Sequence, residues 1–159
     1  MNQNQIFIQM AIKQWDIQIG RADKFFNGLS DEALQKEIAP GKNRIIYLLG
    51  HLIAVNDNMN ALFGLGPRSY AHLDEAFVNK PDRSSQPEPD AAPLRQDWKR
   101  SNEQLSALFA RMTPEDWFSK HTAMTDEDLI KEPDRNKLSV LLTRVSHVAY
   151  HLGQMVLAK

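Results

Sequence analysis

Four long stretches of this chain repeat apolar residues every three or four positions, and none alternates as a half-buried strand would. The first runs from about Gln5 to Asn27, with Ile8, Ile12, Trp15, Ile19, Ala22 and Phe26. The second runs from about Lys42 to Phe63, with Ile45, Leu48, Leu52, Val55, Met59 and Leu62. The third spans about Ala92 to Met112, with Leu94, Trp98, Leu105, Phe109 and Met112; the fourth spans about Lys137 to Leu157, with Leu138, Leu141, Val145, Val148, Leu152 and Met155. Each stripe is wider than the seam of a two-stranded coiled coil, so the pattern predicts an all-α four-helix bundle. With 159 residues, the chain is long enough to bury a core without staples, and a single domain over residues 1–159 is expected.

The connections differ in length. Ser30 reads as the N-cap of a short helical stretch that ends near Ala39-Pro40-Gly41. A long connection from Gly64 to Ala91, holding Pro67, Pro81, Pro87 and Pro89, separates helices 2 and 3. Thr113-Pro114-Glu115 has the order of an N-cap, a proline at the first helical position and an acidic first turn. A second long polar connection, about Phe118 to Asn136, separates helices 3 and 4. Long connections can cross a bundle and permit parallel helices, and in compact domains they often cover a pocket.

Charge and composition remove several function classes. The formal net charge is −1 with Lys and Arg scattered, which leaves no footprint for nucleic acid. There is no cysteine, so disulfides, thiolate ligands and a cysteine nucleophile are excluded. The apolar start Ile6 to Ile12 lacks a basic segment and a small-residue cleavage site, and no apolar run approaches the roughly eighteen residues of a membrane span. A soluble, cytoplasmic protein with no membrane partner is expected.

The chemistry concentrates in histidines. His147 and His151 are four residues apart, which stacks them on one helical face with Cβ atoms roughly 5–6 Å apart. Helical rotation places Val140, Arg144, His147, His151 and Gln154 in one stripe beside the apolar face of the fourth helix. On the second helix His51, in Gly50-His51-Leu52, shares a stripe with Arg44, Leu48, Val55, Asn58 and Leu62. If these helices run antiparallel, the three rings meet at one level. A single histidine at an apolar edge is more often a hydrogen-bonded core residue than a ligand. Three together need partners, because an unsatisfied buried ring costs about 1–3 kcal/mol. A divalent metal, accepting bonds of about 2.0–2.1 Å from each ring, satisfies all three and leaves one position open for water or substrate. Asn58, Arg144 and Gln154 are candidate donors to the ligands or to a substrate. His72 and His121 fall in connections and read as surface residues; Asp57 points away from His51, and Trp15 and Trp98 read as core. No phosphate loop, nucleophile elbow or paired-carboxylate motif is present, so no catalytic residue is named.

The histidine in Gly50-His51-Leu52 and the closing His147-x-x-x-His151-x-Gly153-Gln154 resemble the DinB/YfiT-like family of metal-dependent enzymes over nearly the whole chain. The resemblance implies an up-down-down-up bundle and a divalent metal, zinc or nickel, on His51, His147 and His151. Relatives often carry Arg directly after the last histidine, where this chain has Leu152; Arg144 lies on the same face. The implied activity is transfer of a low-molecular-weight thiol to a small electrophile. Metal-dependent hydrolysis, and a non-enzymatic metal-stabilised binding or homodimerisation module, are the alternatives. In that topology the entrance is expected among the Asn27–Gly41 connection, the segment around Gln86–Ala92 and the turn after Gln154, away from Phe118–Asn136.

Overall fold

A computed structural model describes residues 2–84 and 88–158. All extended regular structure among them is helical; two isolated backbone bridges, Glu37 to Arg44 and Lys120 to Asn136, pin connections. Helix α1 (Gln3–Asn27) starts slightly before the periodicity predicts. Asn2 explains the shift: its side chain accepts from the Gln5 amide at 2.9 Å, and the Gln5 side chain accepts from the Asn2 amide at 2.8 Å. Ser30 caps α2 (Asp31–Leu34), which is shorter than expected.

Helix α3 (Ile45–Leu62) begins later than its pattern predicts. The Ile38 amide donates to Asn43 at 3.0 Å and the Lys42 amide to Ala39 at 2.9 Å, so the preceding residues turn, with Gly41 at φ 72°. Helices α4 (Ala91–Phe109) and α7 (Lys137–Val156) match their patterns to within the last turn. Thr113 caps α5 (Pro114–Phe118) as its sequence predicts. Within the connection before α7, the short helix α6 (Asp126–Lys131) was not expected. It buries no residue, so no apolar period marks it; Thr125 and Asp128 cap each other's amides instead. The long 64–91 connection carries a 3₁₀ turn (Ala71–Leu73) and a π-helical turn (Glu75–Asn79) packed on α3.

Helix α3 organises the core. Ile45, Leu48, Leu49, Leu52, Ile53, Ala54 and Met59 are all buried, and only His51, Val55, Asn58, Ala61 and Leu62 are half-exposed. A helix apolar nearly all round must be enclosed by its neighbours. Helix α4 packs on one side, α7 on another, and α1 packs most extensively on α7. At one end Arg44 binds Asp82 at 2.7 Å, Glu88 at 2.8 Å and Gln35 at 2.8 Å, while Arg95 of α4 binds the carbonyls of Phe26 and Leu29. At the other, the Thr122 amide donates to the last carbonyl of α3 at 2.8 Å and the Lys137 amide to Ser119 at 3.1 Å. Phe63, Phe109 and Trp117 cluster there with centroids 5.4–6.0 Å apart, Phe63 edge-on to Trp117 and the other two pairs tilted.

Asp57 is 1 % exposed and indeed points away from His51. Its carboxylate accepts from the amides of Ser69 at 3.1 Å and Tyr70 at 2.9 Å, from Arg68 at 3.3 Å and from Asn60 at 3.0 Å. It therefore fastens the start of the 64–91 connection to the helix that this connection covers. Removing it leaves buried donors unmet, so Asp57→Ala should cost about 3 kcal/mol in urea unfolding. A loss below about 1 kcal/mol would show that solvent reaches those donors.

Candidate metal centre

The half-exposed positions of α3 and α7 form two stripes: His51, Val55, Asn58 and Leu62 on one helix, Val140, Arg144, His147, His151 and Gln154 on the other. They meet at the histidines. His51 Nε2 lies 3.2 Å from His147 Nε2, and His151 Nε2 lies 3.0 Å from the same atom. One ligand nitrogen from each ring falls within 4.8 Å of the others. Four-coordinate geometry at about 2.05 Å puts ligand nitrogens about 3.3 Å apart. The spacing fits a shared ion.

Proton accounting strengthens the fit. His51 Nδ1 lies 2.8 Å from the Phe77 carbonyl oxygen, which only accepts, so Nδ1 carries the proton and Nε2 a lone pair. His151 Nδ1 likewise donates to Gln154 Oε1 at 2.8 Å. Two lone pairs thus converge on His147 Nε2, which has at most one proton to offer. His147 Nδ1 is itself buried without a partner. Hydrogen bonds among the rings cannot satisfy this cluster, whereas a cation facing all three nitrogens can.

Local sequence explains how the rings are held. Tyr47, one turn before His51, stacks on it at 6.4 Å and 11°, and its hydroxyl donates to the Lys80 carbonyl at 2.8 Å. Gly50 lets Phe77 approach: a Cβ there would sit 2.5 Å from the Phe77 ring. The glycine before His51 is thus a packing requirement of the segment that supplies the Phe77 carbonyl. Neither Tyr47 nor Phe77 was singled out from the sequence, since a backbone acceptor has no residue signature. Of the amide and guanidinium candidates, Gln154 touches a ligand histidine, and Asn58 and Arg144 occupy the stripes beside the cluster. Arg44, placed on the His51 stripe by periodicity, instead precedes the helix and is buried in its acidic clamp. His72 is exposed as expected; His121 is half-buried with Nδ1 lacking a partner, which corrects its reading as a surface residue, and neither joins the cluster.

A cavity of about 310 Å³ lies behind the centre. Tyr47 and Phe77 separate it from His51, and Leu73, Pro89 and Leu94 line it, but none of the three histidines does. Of the segment expected to frame an entrance, residues 86 and 87 lie outside the described residues, and Glu88, Pro89 and Asp90 line this cavity.

The sequence profile of the DinB superfamily matches residues 14–155, which include all three histidines and every long helix in whole or in large part. The chain belongs to the DinB superfamily. No curated protein matches it. The DinB assignment accords with the three-histidine group, since the same residues that the profile spans create the convergence described above.

Burial lowers the proton affinity of all three rings. His147 is pushed down to about 4, by burial first and then by the neighbouring charges of His151, His51 and Arg144. His51 and His151 shift in the same direction, also through burial first. Each ring is therefore neutral in the native protein at neutral pH, ready to ligate. Because the folded values lie below the unfolded value of about 6.5, the unfolded chain takes up protons first as pH falls. Stability of the metal-free protein should be complete above about pH 6.5 and decline towards pH 4, most steeply in the wild type and less in His147→Ala. Equal pH dependence of the two proteins in urea titrations would contradict this ordering. Gly50→Ala should cost about 1–3 kcal/mol by displacing Phe77. It should also weaken metal binding, whereas a change of stability alone would show that the Phe77 carbonyl does not orient His51.

Proposed function

We propose that this DinB-superfamily chain is a metal-dependent enzyme in which His51, His147 and His151 hold a divalent ion, zinc or nickel. The observation that carries the reading is the convergence of two acceptor nitrogens on a third ring able to donate only once. The contacts at the helix ends support an up-down-down-up arrangement over residues 1–159. The start of α4 is tied to the end of α1 and the start of α3 to Gln35 just after α2, and the start of α7 lies by the connection bonded to the end of α3.

Bound there, a divalent ion supplies Lewis acidity that lowers the proton affinity of a thiol or a water. The chain's own groups do the rest. The Phe77 carbonyl and Gln154 hold His51 and His151 in the tautomer that presents Nε2, and their hydrogen bonds raise the donor strength of those rings. Tyr47 restricts rotation of His51 by stacking. The three rings are half-exposed, and among the described residues no further His, Cys, Asp or Glu joins their group, so no fourth protein ligand closes the site there. That openness favours turnover over a purely structural ion. Transfer of a low-molecular-weight thiol to a small electrophile is the reaction we assign.

Protein purified without a histidine tag should bind zinc or nickel stoichiometrically by elemental analysis, and chelator should lower its melting temperature. His51→Ala, His147→Ala and His151→Ala should each lose the metal, while His72→Ala retains it. Gln154→Leu should weaken metal affinity by roughly tenfold or more through loss of the His151 acceptor. Full occupancy in both His147→Ala and His151→Ala would remove the reading. Metal-dependent consumption of a thiol with an alkyl electrophile tests the reaction; metal-dependent ester hydrolysis with no thiol consumption would assign the hydrolase instead.

A further inference from the structure

Arg144 stands one turn before His147 on the histidine stripe of α7, half-buried. Its Nε is buried with no acceptor, and no carboxylate lies within ion-pair reach of its guanidinium among the described residues. The contrast with the other arginines withdrawn from solvent is plain. Arg44 holds Asp82 and Glu88, Arg68 holds Asp57 and Asp74, and Arg95 holds Asp31 and two carbonyls. Taking a guanidinium partly out of water without a partner is unfavourable, so its presence beside a ligand cluster calls for a compensating anion. Its charge is close enough to be felt by both His51 and His147, and among the described residues no Asp or Glu joins the three-histidine group.

We propose that Arg144 is a subsite for a carboxylate on the small molecule that occupies the three-histidine centre. This rests on the metal reading and adds the class of substrate: a bifunctional molecule, with a nucleophilic or electrophilic group at one end and an anionic group at the other. The register supports the reach. Arg144 precedes His147 by roughly one turn, or about 4.5 Å along the helix axis, within the span of a small bifunctional molecule. A guanidinium presents parallel N–H donors that match a carboxylate, which a lysine cannot reproduce. On the α3 stripe, Asn58 is half-exposed and offers a neutral amide rather than a competing charge. Three neutral ligands and a guanidinium, with no acid joining the group or pairing with Arg144 among the described residues, leave the loaded centre positive, which selects anions.

The test uses zinc-loaded protein and matched probes: mercaptoacetate and 3-mercaptopropionate against 2-mercaptoethanol and 3-mercaptopropanol, titrated calorimetrically. In the wild type at least one mercaptocarboxylate should bind roughly tenfold more tightly than its alcohol partner. Arg144→Gln should lose this preference while still binding the alcohols, and Arg144→Lys should retain only part of it. Metal-free Arg144→Gln should melt at or above the wild type, because the substitution relieves an unpaired charge; a fall in melting temperature would mark Arg144 as a structural residue and overturn the subsite. A preference of equal size in wild type and Arg144→Gln would assign it to the ion alone, overturning the subsite and leaving the metal centre intact. If the wild type binds no metal, the metal reading fails first and the subsite falls with it.

Discussion

Helix α3 is enclosed on every side but one half-open stripe, and the rest of the molecule is arranged around that constraint. Leu48, Leu49, Ile46, Ala54 and Tyr47 fall on successive sides of the helix and all are buried, so neighbours must cover it from every direction but one. Three long helices cannot do this alone. The 64–91 connection completes the enclosure, with Phe77 pressed against Gly50 and the chain fastened by Asp57 and Arg44. The stripe left half-open is the one that carries His51. Burial of α3 and exposure of the ligand are the same fact seen from two sides.

The two facing stripes therefore differ in chemistry. The α3 stripe is mostly apolar, with His51 and Asn58 as its polar groups. The α7 stripe carries His147, His151, Gln154 and Arg144. Neutral imidazoles, held neutral by burial, face a fixed cation without a counter-charge. Acidic residues are plentiful elsewhere: Asp57, Asp74, Asp82 and Glu88 are spent on arginines that brace the connection. This division keeps carboxylates away from the ligand cluster while using them to hold the segment that orients it.

Much of this was legible in the sequence. The four long helices followed from apolar spacing, and the three histidines from stripes that hydrophobic residues define; both signals are side-chain patterns with a helical period. Short or irregular elements were not legible in that way. Helix α6 buries nothing, so it has no apolar signature, and the π turn at Glu75–Asn79 is fixed by contacts with α3 rather than by local preference. Gly50 was legible as part of a motif, but its reason was not, because the ring that requires it lies in a distant connection. Arg44 was misplaced for a similar cause: helical rotation was extended past the point where the Asp82 carboxylate captures the Arg44 amide at 2.8 Å.

The Phe77 carbonyl has a wider consequence. A main-chain oxygen cannot be mutated, yet it sets the proton position and donor strength of His51. Its location depends on the bulk at position 50 and on the path of the 64–91 connection. The orientation of a three-histidine cluster is thereby placed under the control of residues outside the cluster. A change in the path of that connection would alter how His51 is held while all three histidines stay the same, so the chemistry of the cluster depends on loop geometry as well as on its own side chains.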